Sequence, residues 1–178
     1  MNSAWTAGMS GARTTMAAAV LIFIGGCCSP TTTVLLVRHA EKETGRNPGL
    51  TSAGQARARA LVDVAKGAGV SAIYHTQLKR TRQTAAPLAS ALGLQGTVIV
   101  ISSGEAESHA RKVARDILKR HEGEVVLVVG HSHTLPLIIE ELGAPPPPEI
   151  AEADYDNAFI VVKRRGRPGR LFHCQFGE

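Results

Sequence analysis

The hydrophobic residues of the chain fall into short, nearly continuous runs, separated by longer stretches with a different spacing. Runs of this kind, rich in valine and isoleucine, are typical of strands that are covered on both faces of a sheet. They predict five strands, at residues 33–37, 70–74, 97–101, 124–129 and 158–162.

The stretches between most of these runs carry apolar residues at helical spacing. They predict four helices, at residues 51–69, 80–93, 108–121 and 134–143. Thr51 is a plausible N-cap of the first helix, although Gly54 stands where a capping box would have an acid. Strands that alternate with helices predict an α/β domain, a three-layer α/β/α sandwich with a mainly parallel central sheet.

Two further stretches predict connections rather than regular elements. The sequence APPPPE at residues 144–149 predicts a stiff loop. The sequence KRRGRPGR at residues 163–170 contains a Pro-Gly pair between two strand-like runs, which predicts a hairpin turn. Its basic residues could contact an anionic lipid or a substrate, but a solvated turn is the simpler interpretation.

The N-terminal residues are predicted not to belong to the domain. Arg13 precedes an apolar run at residues 16–24, which is shorter than the roughly 20 residues of a membrane-spanning helix. A basic residue, a short apolar run and small residues are typical of a secretory signal. The sequence IGGC, ending at Cys27, also resembles a bacterial lipobox, in which the cysteine is lipidated and becomes the first mature residue.

This resemblance implies an exported protein, periplasmic or at the cell surface, that is anchored to a membrane through a lipid at Cys27. An ordinary signal peptide or an uncleaved anchor is the alternative. We therefore divide the chain into a signal peptide at 1–27, a tether at 28–33 and a domain at 34–178.

The bulk composition changes this outline little. The 178 residues, 44% of them hydrophobic and 20% charged, suggest one globular domain. The net charge of +5 favours anionic partners without identifying one, and we expect no nucleic-acid partner. If Cys27 is acylated, Cys28 and Cys174 could pair outside the cytoplasm, but a buried thiol at Cys174 in a C-terminal strand is the preferred interpretation.

Cationic and imidazole side chains follow three of the predicted strands. Arg38 and His39 follow the first strand, residues 75–85 follow the second, and residues 130–134 follow the strand at 124–129. Open α/β sheets bind ligands at the carboxyl ends of their strands, so these clusters are expected to meet. Guanidinium groups and helix N-termini suit phosphate oxygens, and a neutral imidazole is a competent nucleophile. The pattern predicts a site for a phosphoryl group.

Four segments resemble the signatures of the histidine phosphatase superfamily, the phosphoglycerate-mutase-like proteins, and in particular its small phosphatases. They are LLVRHAEK, LTSAGQARA, TQLKRTRQTA and VVGHSHT, in the order and spacing of that family. The resemblance extends from about Val34 to Phe159. It implies a phosphoglycerate-mutase-like fold, phosphatase activity and no cofactor.

The resemblance also assigns roles to single residues. It implies that His39 becomes phosphorylated, that Arg38 and Arg80 hold the phosphate oxygens, and that His131 donates to the transferring group. Glu105 lies about where the family places its proton donor, and Glu107 is the alternate.

Other interpretations of these residues remain open. Arg38 alone could form a surface ion pair with Glu41. The sequence HSH at residues 131–133 could be half of a metal site, although no third ligand accompanies it at suggestive spacing.

A phosphatase is favoured over a mutase because only 50 residues separate Arg80 from His131, which leaves little room for a lid over the site. An open pocket lets water reach a phosphohistidine. The expected partner is a small phosphorylated substrate or a phosphoprotein. A protein phosphohistidine phosphatase, a phosphoglycerate-type mutase and a non-catalytic lipoprotein that binds a phosphorylated ligand are the alternatives. Specificity is expected from loops 41–50, 102–109 and 144–157.

Overall fold

The computed structural model describes residues 29–177. The predicted signal peptide, the lipidation of Cys27 and a partner role for Cys28 all lie outside the described residues. Within residues 29–177, no helix combines the length and the apolar character needed to cross a bilayer.

One six-stranded sheet forms the middle of the described domain. Its strands lie in the order β3-β2-β4-β1-β5-β6, and β1 to β4 pair in parallel while β5 and β6 pair antiparallel to their neighbours. The predicted α/β class with a mainly parallel sheet is therefore confirmed. The strands are β1 (Thr31–Arg38), β2 (Val70–His75), β3 (Gly96–Val98), β4 (Val125–Gly130), β5 (Asn157–Arg164) and β6 (Arg170–Gln175).

Four α-helices cover the sheet, and all four were predicted from the sequence. Helices α1 and α2 pack together on one face, and α3 and α4 pack together on the other, which gives the expected three layers. A single 3-10 turn extends α1 toward β2. The helices are α1 (Ser52–Ala65), α2 (Lys79–Leu92), α3 (Ala106–Arg120) and α4 (Leu135–Glu141).

Strand β1 supplies hydrophobic side chains to a core on each face of the sheet. Leu36 is fully buried against α3 and α4, whereas Val37 is fully buried against α1 and α2. Successive residues of a strand point to opposite faces, so an unbroken apolar run is needed when both faces are covered. Full burial of one such side chain stabilises the fold by about 1.5–3 kcal/mol. The two cores hold β1 rigidly up to its carboxyl end.

The strand boundaries differ from the sequence prediction by at most three residues, and two of these differences concern neighbouring segments. Strand β3 ends at Val98 rather than at residue 101. The Gln77 side chain donates to the Ile101 carbonyl at 2.7 Å and accepts from the Ile101 N–H at 3.0 Å, so these backbone groups are not available for strand pairing. Strand β1 begins at Thr31, which pairs with Arg164 of β5, so the predicted tether at 28–33 overlaps the strand. The described part of the tether outside the strand is Ser29-Pro30.

The predicted hairpin turn is confirmed between β5 and β6, but the predicted burial of Cys174 is wrong. Cys174 lies in β6 and is exposed, with its Sγ 3.6 Å from the Ala158 carbonyl oxygen. Strand β6 is the edge of the sheet, and most of its residues are exposed. An edge strand beyond the covering helices leaves its side chains in contact with solvent.

The first turn of α1 contains Gly54, and the structure explains why a glycine stands there. The Thr51 Oγ1 accepts a hydrogen bond from the Gly54 N–H at 3.0 Å, as predicted. A Cβ atom on Gly54 would overlap the carbonyl oxygen of Glu41, two residues after His39. The glycine therefore permits close contact between α1 and the segment that carries the predicted nucleophile.

Substitution of Gly54 by alanine is expected to destabilise the fold by about 1–3 kcal/mol, because the helix must move away from the Glu41 backbone. Urea unfolding followed by circular dichroism measures this change. Gly67→Ala is the matched control, since a Cβ there meets no heavy atom within 4 Å. Equal stability of the two variants would contradict the packing argument.

Candidate active site

The predicted histidine pair meets at the carboxyl ends of two neighbouring strands. Arg38 is the last residue of β1 and pairs with Gly130, the last residue of β4. His39 and His131 follow these two residues, and the His39 N–H donates to the Gly130 carbonyl at 3.0 Å. The two imidazole centroids lie 5.4 Å apart. The register of the sheet thus juxtaposes side chains that are 92 positions apart in the sequence.

One hydrogen bond sets the tautomer of His39. Its Nδ1 lies 2.9 Å from the carbonyl oxygen of Ala40, and a carbonyl can only accept. The proton of the neutral ring is therefore on Nδ1, and Nε2 carries the free lone pair. This is the tautomer that a nucleophilic imidazole needs.

Burial keeps both imidazoles neutral. It lowers the pKa of His39 from 6.5 to about 4, although the hydrogen bond to Ala40 opposes this shift and the charges of Arg80 and Arg38 add to it. Burial also lowers the pKa of His131 to about 2, with further contributions from His39 and Arg80. The two histidines are 3% exposed, which accounts for the dominance of burial.

The His39 ring is expected to titrate near pH 4 in the folded protein, well below the 6.5 of an exposed histidine. As pH falls, the unfolded chain becomes protonated at this residue at a higher pH than the folded protein. The free energy of unfolding should therefore fall as pH drops from about 6.5 to 4. NMR of the ring protons, assigned with a His39→Asn variant, measures the value. An ordinary pKa above 6 would contradict the proposed burial and tautomer.

A loop after α4 fixes the guanidinium of Arg38. Its Nη1 donates to the carbonyl oxygens of Ala151, Glu152 and Asp154 at 2.8, 2.7 and 3.3 Å. The Tyr155 ring lies 4.2 Å from the guanidinium carbon. We call residues 151–155 the arginine clamp. The clamp orients Arg38 without neutralising it, because carbonyl dipoles and an aromatic face carry no net charge.

Arg80 lies on the first turn of α2, and α2 is tied to the segment after His39. The Thr84 hydroxyl donates to the Arg80 carbonyl at 2.8 Å and accepts from the Ala40 N–H at 2.9 Å. The Nε atoms of Arg80 and Arg38 are both buried without a hydrogen-bond partner. Burial, followed by the charge of Arg38, lowers the pKa of Arg80. A pair of guanidinium groups with unused donors favours an anion between them.

Three threonines position His131. The Thr134 Oγ1 accepts from the His131 N–H at 3.0 Å, and the Thr76 Oγ1 lies 3.2 Å from the His131 Nε2. Thr76 is linked in turn to Thr81 of α2 at 2.9 Å. His133 stacks on His131, with centroids 5.6 Å apart. All three predicted clusters therefore meet in one network.

The two predicted carboxylates lie at the start of α3. Glu105 is the N-cap residue and is exposed, and its N–H donates to the Ser102 carbonyl at 3.2 Å. Glu107 is exposed in the first turn. No hydrogen bond or ion pair connects either carboxylate to Arg38, His39, Arg80 or His131 in the described part of the chain. The proton-donor role of Glu105 stays a prediction.

The structure bears on the alternative interpretations of Arg38 and of the HSH segment. Arg38 is 4% exposed and makes no ion pair with Glu41, which instead pairs with Arg57 at 2.8 Å. The HSH segment has no third ligand, since the described residues contain no group of three side chains able to hold a metal ion.

Several residues near the site were missed by the sequence analysis. Tyr155 and the rest of the clamp fall in a loop that was expected only to determine specificity. Thr76 and Thr84 lie in the second motif, where the adjacent arginine was the stronger signal. His109 is 5% exposed and close enough to His131 to contribute to the lowering of its pKa. No sequence pattern distinguished it from an ordinary helix residue.

Part of the chain matches a known protein family in sequence. Residues 34–103 match the sequence profile of the histidine phosphatase superfamily (branch 1). This range includes most of β1 and all of α1, β2, α2 and β3. A PE-PGRS family protein, PE_PGRS11 of Mycobacterium tuberculosis, is 36% identical over 118 residues, which is 66% of this chain. The chain spans only 18% of the length of that relative.

Solved structures share the fold at low sequence identity. A mycobacterial glucosyl-3-phosphoglycerate phosphatase is 13% identical with a TM-score of 0.63, covering 83% of this chain and 99% of that one. A Nakamurella multipartitia structure titled as a SixA phosphohistidine phosphatase is 21% identical with a TM-score of 0.62, covering 84% and 99%. A phosphoserine phosphatase of Entamoeba histolytica is 19% identical with a TM-score of 0.59, covering 83% and 97%.

Residues 34–103 thus match the histidine phosphatase superfamily in sequence, and the described domain shares the fold of phosphoglycerate-mutase-like phosphatases. The predicted phosphoglycerate-mutase-like fold is therefore confirmed. The family match and the phosphatases among these structures support phosphatase activity in general and do not identify a substrate.

Proposed function

We propose that the protein hydrolyses a phosphomonoester through a phosphohistidine on His39. The observation that carries this proposal is the pairing of a neutral imidazole, with a free Nε2 lone pair, and two guanidinium groups with unused buried donors. A phosphoryl group needs a nucleophile on one side and cationic donors around its oxygens. Arg38 and Arg80 supply the positive charge that a magnesium ion supplies in other phosphoryl-transfer sites.

In the first step the His39 Nε2 lone pair attacks phosphorus, and the bond to the leaving alcohol oxygen breaks. The alcohol oxygen takes a proton, for which Glu105 is our candidate donor. Arg38 and Arg80 donate to the equatorial oxygens. When the Thr76 hydroxyl donates to Nε2 of His131, the proton of that ring is on Nδ1, which can then donate to a phosphoryl oxygen.

In the second step a water molecule attacks phosphorus and the phosphorus–nitrogen bond breaks. The electron pair returns to Nε2, the water gives its proton to the Glu105 carboxylate that the first step left, and inorganic phosphate leaves. The Nδ1–H of His39 donates to the Ala40 carbonyl throughout, so the ring returns to its starting tautomer. The charge that develops on the ring is offset by the bound phosphate rather than by a neighbouring carboxylate.

Hydrolysis is favoured over transfer because little chain is available to close the site. Between Arg80 and His131 the structure has only α2, β3, α3 and β4, joined by segments at 93–95, 99–105 and 121–124. A phosphoglycerate-type mutase needs to exclude water from its phosphohistidine. A protein phosphohistidine phosphatase fits an open site equally well. A protein that only binds a phosphorylated ligand would not need the His39 tautomer that leaves Nε2 free to attack.

A panel of phosphorylated compounds tests this function in the full-length protein. It contains an aryl phosphate, phosphoserine, 3-phosphoglycerate, a phosphosugar and a phosphohistidine peptide. We expect phosphate release from the aryl phosphate, with the relative kcat/KM values ranking the other substrate classes. Binding of inorganic phosphate without any hydrolysis would instead favour the ligand-binding alternative.

The clamp provides a separate prediction at Tyr155. Tyr155→Ala is expected to lower kcat/KM severalfold, because loss of a cation–π contact costs about 0.5–2 kcal/mol and frees the Arg38 side chain. Tyr155→Phe keeps the aromatic face and should remain within about twofold of the wild type. Steady-state kinetics on an aryl phosphate measure both variants. Equal loss in the two variants would assign the effect to the hydroxyl group and not to the clamp.

We also propose that the protein is exported and attached to a membrane through a lipid on Cys27. The support is the sequence alone, an apolar run at 16–24 followed by IGGC. Metabolic labelling with a radioactive fatty acid is expected to mark the wild type and not Cys27→Ser. Labelling of both proteins, or of neither, would contradict this proposal.

A further inference from the structure

The end of the sheet opposite the site carries a group of exposed cations. Strand β1 runs from Thr31 at this end to Arg38 at the site, a rise of roughly 23 Å at about 3.3 Å per residue. Helix α3 also ends here, and the β5–β6 turn lies beside the start of β1. We call this surface the basal face, and its cations are Lys119, Arg120, Arg164, Arg165 and Arg167.

Direct contacts show that these elements are neighbours. The Arg164 Nε donates to the Thr31 hydroxyl at 3.0 Å, which joins the turn to the start of β1. The Thr32 hydroxyl donates to the His121 carbonyl at 3.2 Å, which joins the end of α3 to the same strand. The cations of the basal face therefore lie on elements that are next to one another at this end of the sheet.

Acidic residues neutralise this surface only in part. Arg120 pairs with Asp116 at 2.7 Å, while Arg165 lies 3.9 Å from Glu122 and is 83% exposed. Lys119, Arg164 and Arg167 have no acidic partner among the residues that the structure describes. The basal face thus presents unpaired positive charge to solvent, where it attracts anionic surfaces.

The N-terminal segment joins the domain at the same place. Pro30 lines a cavity of about 250 Å³ together with Leu118 of α3 and with Lys163 and Arg165 of the β5–β6 hairpin. The described chain therefore begins between α3 and the hairpin turn, and the apolar run at 16–24 precedes this point in the sequence.

Chain length then limits how far the basal face can lie from an anchor. Four residue steps separate Cys27 from Thr31, and an extended chain spans at most about 3.5 Å per step, or about 14 Å in all. Screening by salt acts over about 10 Å at 0.1 M ionic strength. A membrane that holds Cys27 would consequently lie within or near the range at which the basal cations attract anionic headgroups.

We propose that the basal face rests on anionic lipid headgroups, so that the domain is oriented with its active site away from the bilayer. Two independent features support a lipid surface over another polyanion. The cations surround the point where the apolar N-terminal segment joins the domain, and they lie on the end that carries none of the active-site residues. Lipid contact at this face leaves the site open to solutes.

Vesicle sedimentation tests the proposal with the full-length chain carrying Cys27→Ser, so that no acyl chain contributes. The vesicles are phosphatidylcholine alone or phosphatidylcholine with phosphatidylglycerol. We expect partitioning into the anionic vesicles to be about tenfold stronger or more, since each basic residue near such a surface contributes appreciably. The preference should disappear in 0.5 M salt.

Two sets of charge reversals separate the basal face from net charge. The basal set is Lys119→Glu, Arg165→Glu and Arg167→Glu. The matched set reverses exposed cations on the helices, Arg59→Glu, Arg82→Glu and Lys112→Glu. The basal set should abolish the preference, and the matched set should retain most of it. The milder Lys119→Gln, Arg165→Gln and Arg167→Gln set should give an intermediate loss, which guards against an effect of misfolding.

Three results would overturn the proposal. The Cys27→Ser chain without charge reversals could fail to prefer anionic vesicles, or the two charge-reversal sets could lose the preference equally. The third result is that the protein binds polyglutamate more strongly than anionic vesicles at the same salt concentration, and that the basal set of charge reversals removes this binding. Such a result would assign the face to an acidic protein.

Discussion

Replacement of His39 by asparagine is expected to reduce turnover of an aryl phosphate by about 10⁴-fold or more, because the variant lacks the imidazole that attacks phosphorus. The structure makes His39 the natural candidate, since its Nδ1–H is held by the Ala40 carbonyl and its Nε2 is left unprotonated. Arg38 and Arg80 remain in the variant, so inorganic phosphate should still bind. The measurements are kcat from steady-state kinetics and phosphate affinity from calorimetry.

A second histidine offers a matched control. His75 follows the same geometry, with its Nδ1 2.8 Å from the carbonyl oxygen of the next residue, Thr76, at the end of β2. It is also buried, at 8% exposed. His75→Asn should keep most of the activity, because that ring packs against Gly96 rather than against His131. Similar losses in His39→Asn and His75→Asn would indicate damage to the fold rather than removal of a nucleophile.

Substitution of Arg80 by lysine is expected to lower kcat by about 10²–10³-fold, in the range of losing a preorganised donor to the transition state. Lysine keeps the charge but cannot provide two parallel donors, and its pKa is easily shifted when it is buried. The Arg80 Nε is buried and unpartnered in the structure, so its full donor set is available to a phosphoryl group. Steady-state kinetics on an aryl phosphate measure the effect.

Arg82, two residues further along α2, controls for the loss of an arginine from this helix. Arg82 is exposed, whereas Arg80 is partly buried near Arg38. Arg82→Lys should leave kcat within about twofold of the wild type, as surface substitutions usually do. Unchanged kinetics in Arg80→Lys would contradict the assignment of Arg80 to the phosphoryl oxygens.

The architecture of the domain was largely accessible from the sequence because its strands are covered on both faces. Leu36 and Val37 contribute to opposite cores, so neither could be polar, and the apolar run predicted the strand. Helix α1 was equally clear from Thr51 and its helical spacing. Edge elements were harder, since fewer neighbours constrain them. Strand β3 ends early at a side-chain contact with Gln77, and Cys174 on edge strand β6 is exposed.

The grouping of Arg38, His39, Arg80 and His131 followed from motif order and from the rule that parallel strand ends share one edge. The structure places Arg38, His39 and His131 at the ends of β1 and β4 and Arg80 on the first turn of α2. The arginine clamp could not be predicted, because it binds through backbone carbonyls, which every residue has. The position of Glu105 relative to a leaving group depends on the loop at 99–105, which no periodic pattern constrains.

Capture of the phosphorylated enzyme is the most direct test of His39 as the nucleophile. Wild-type protein is mixed with an aryl phosphate, quenched in base within milliseconds to preserve phosphohistidine, and digested for mass spectrometry. A phosphohistidine on His39 predicts one added phosphoryl group on the peptide that contains this residue, and none in His39→Asn. Turnover with no such species, or with the phosphoryl group on His131, would contradict it.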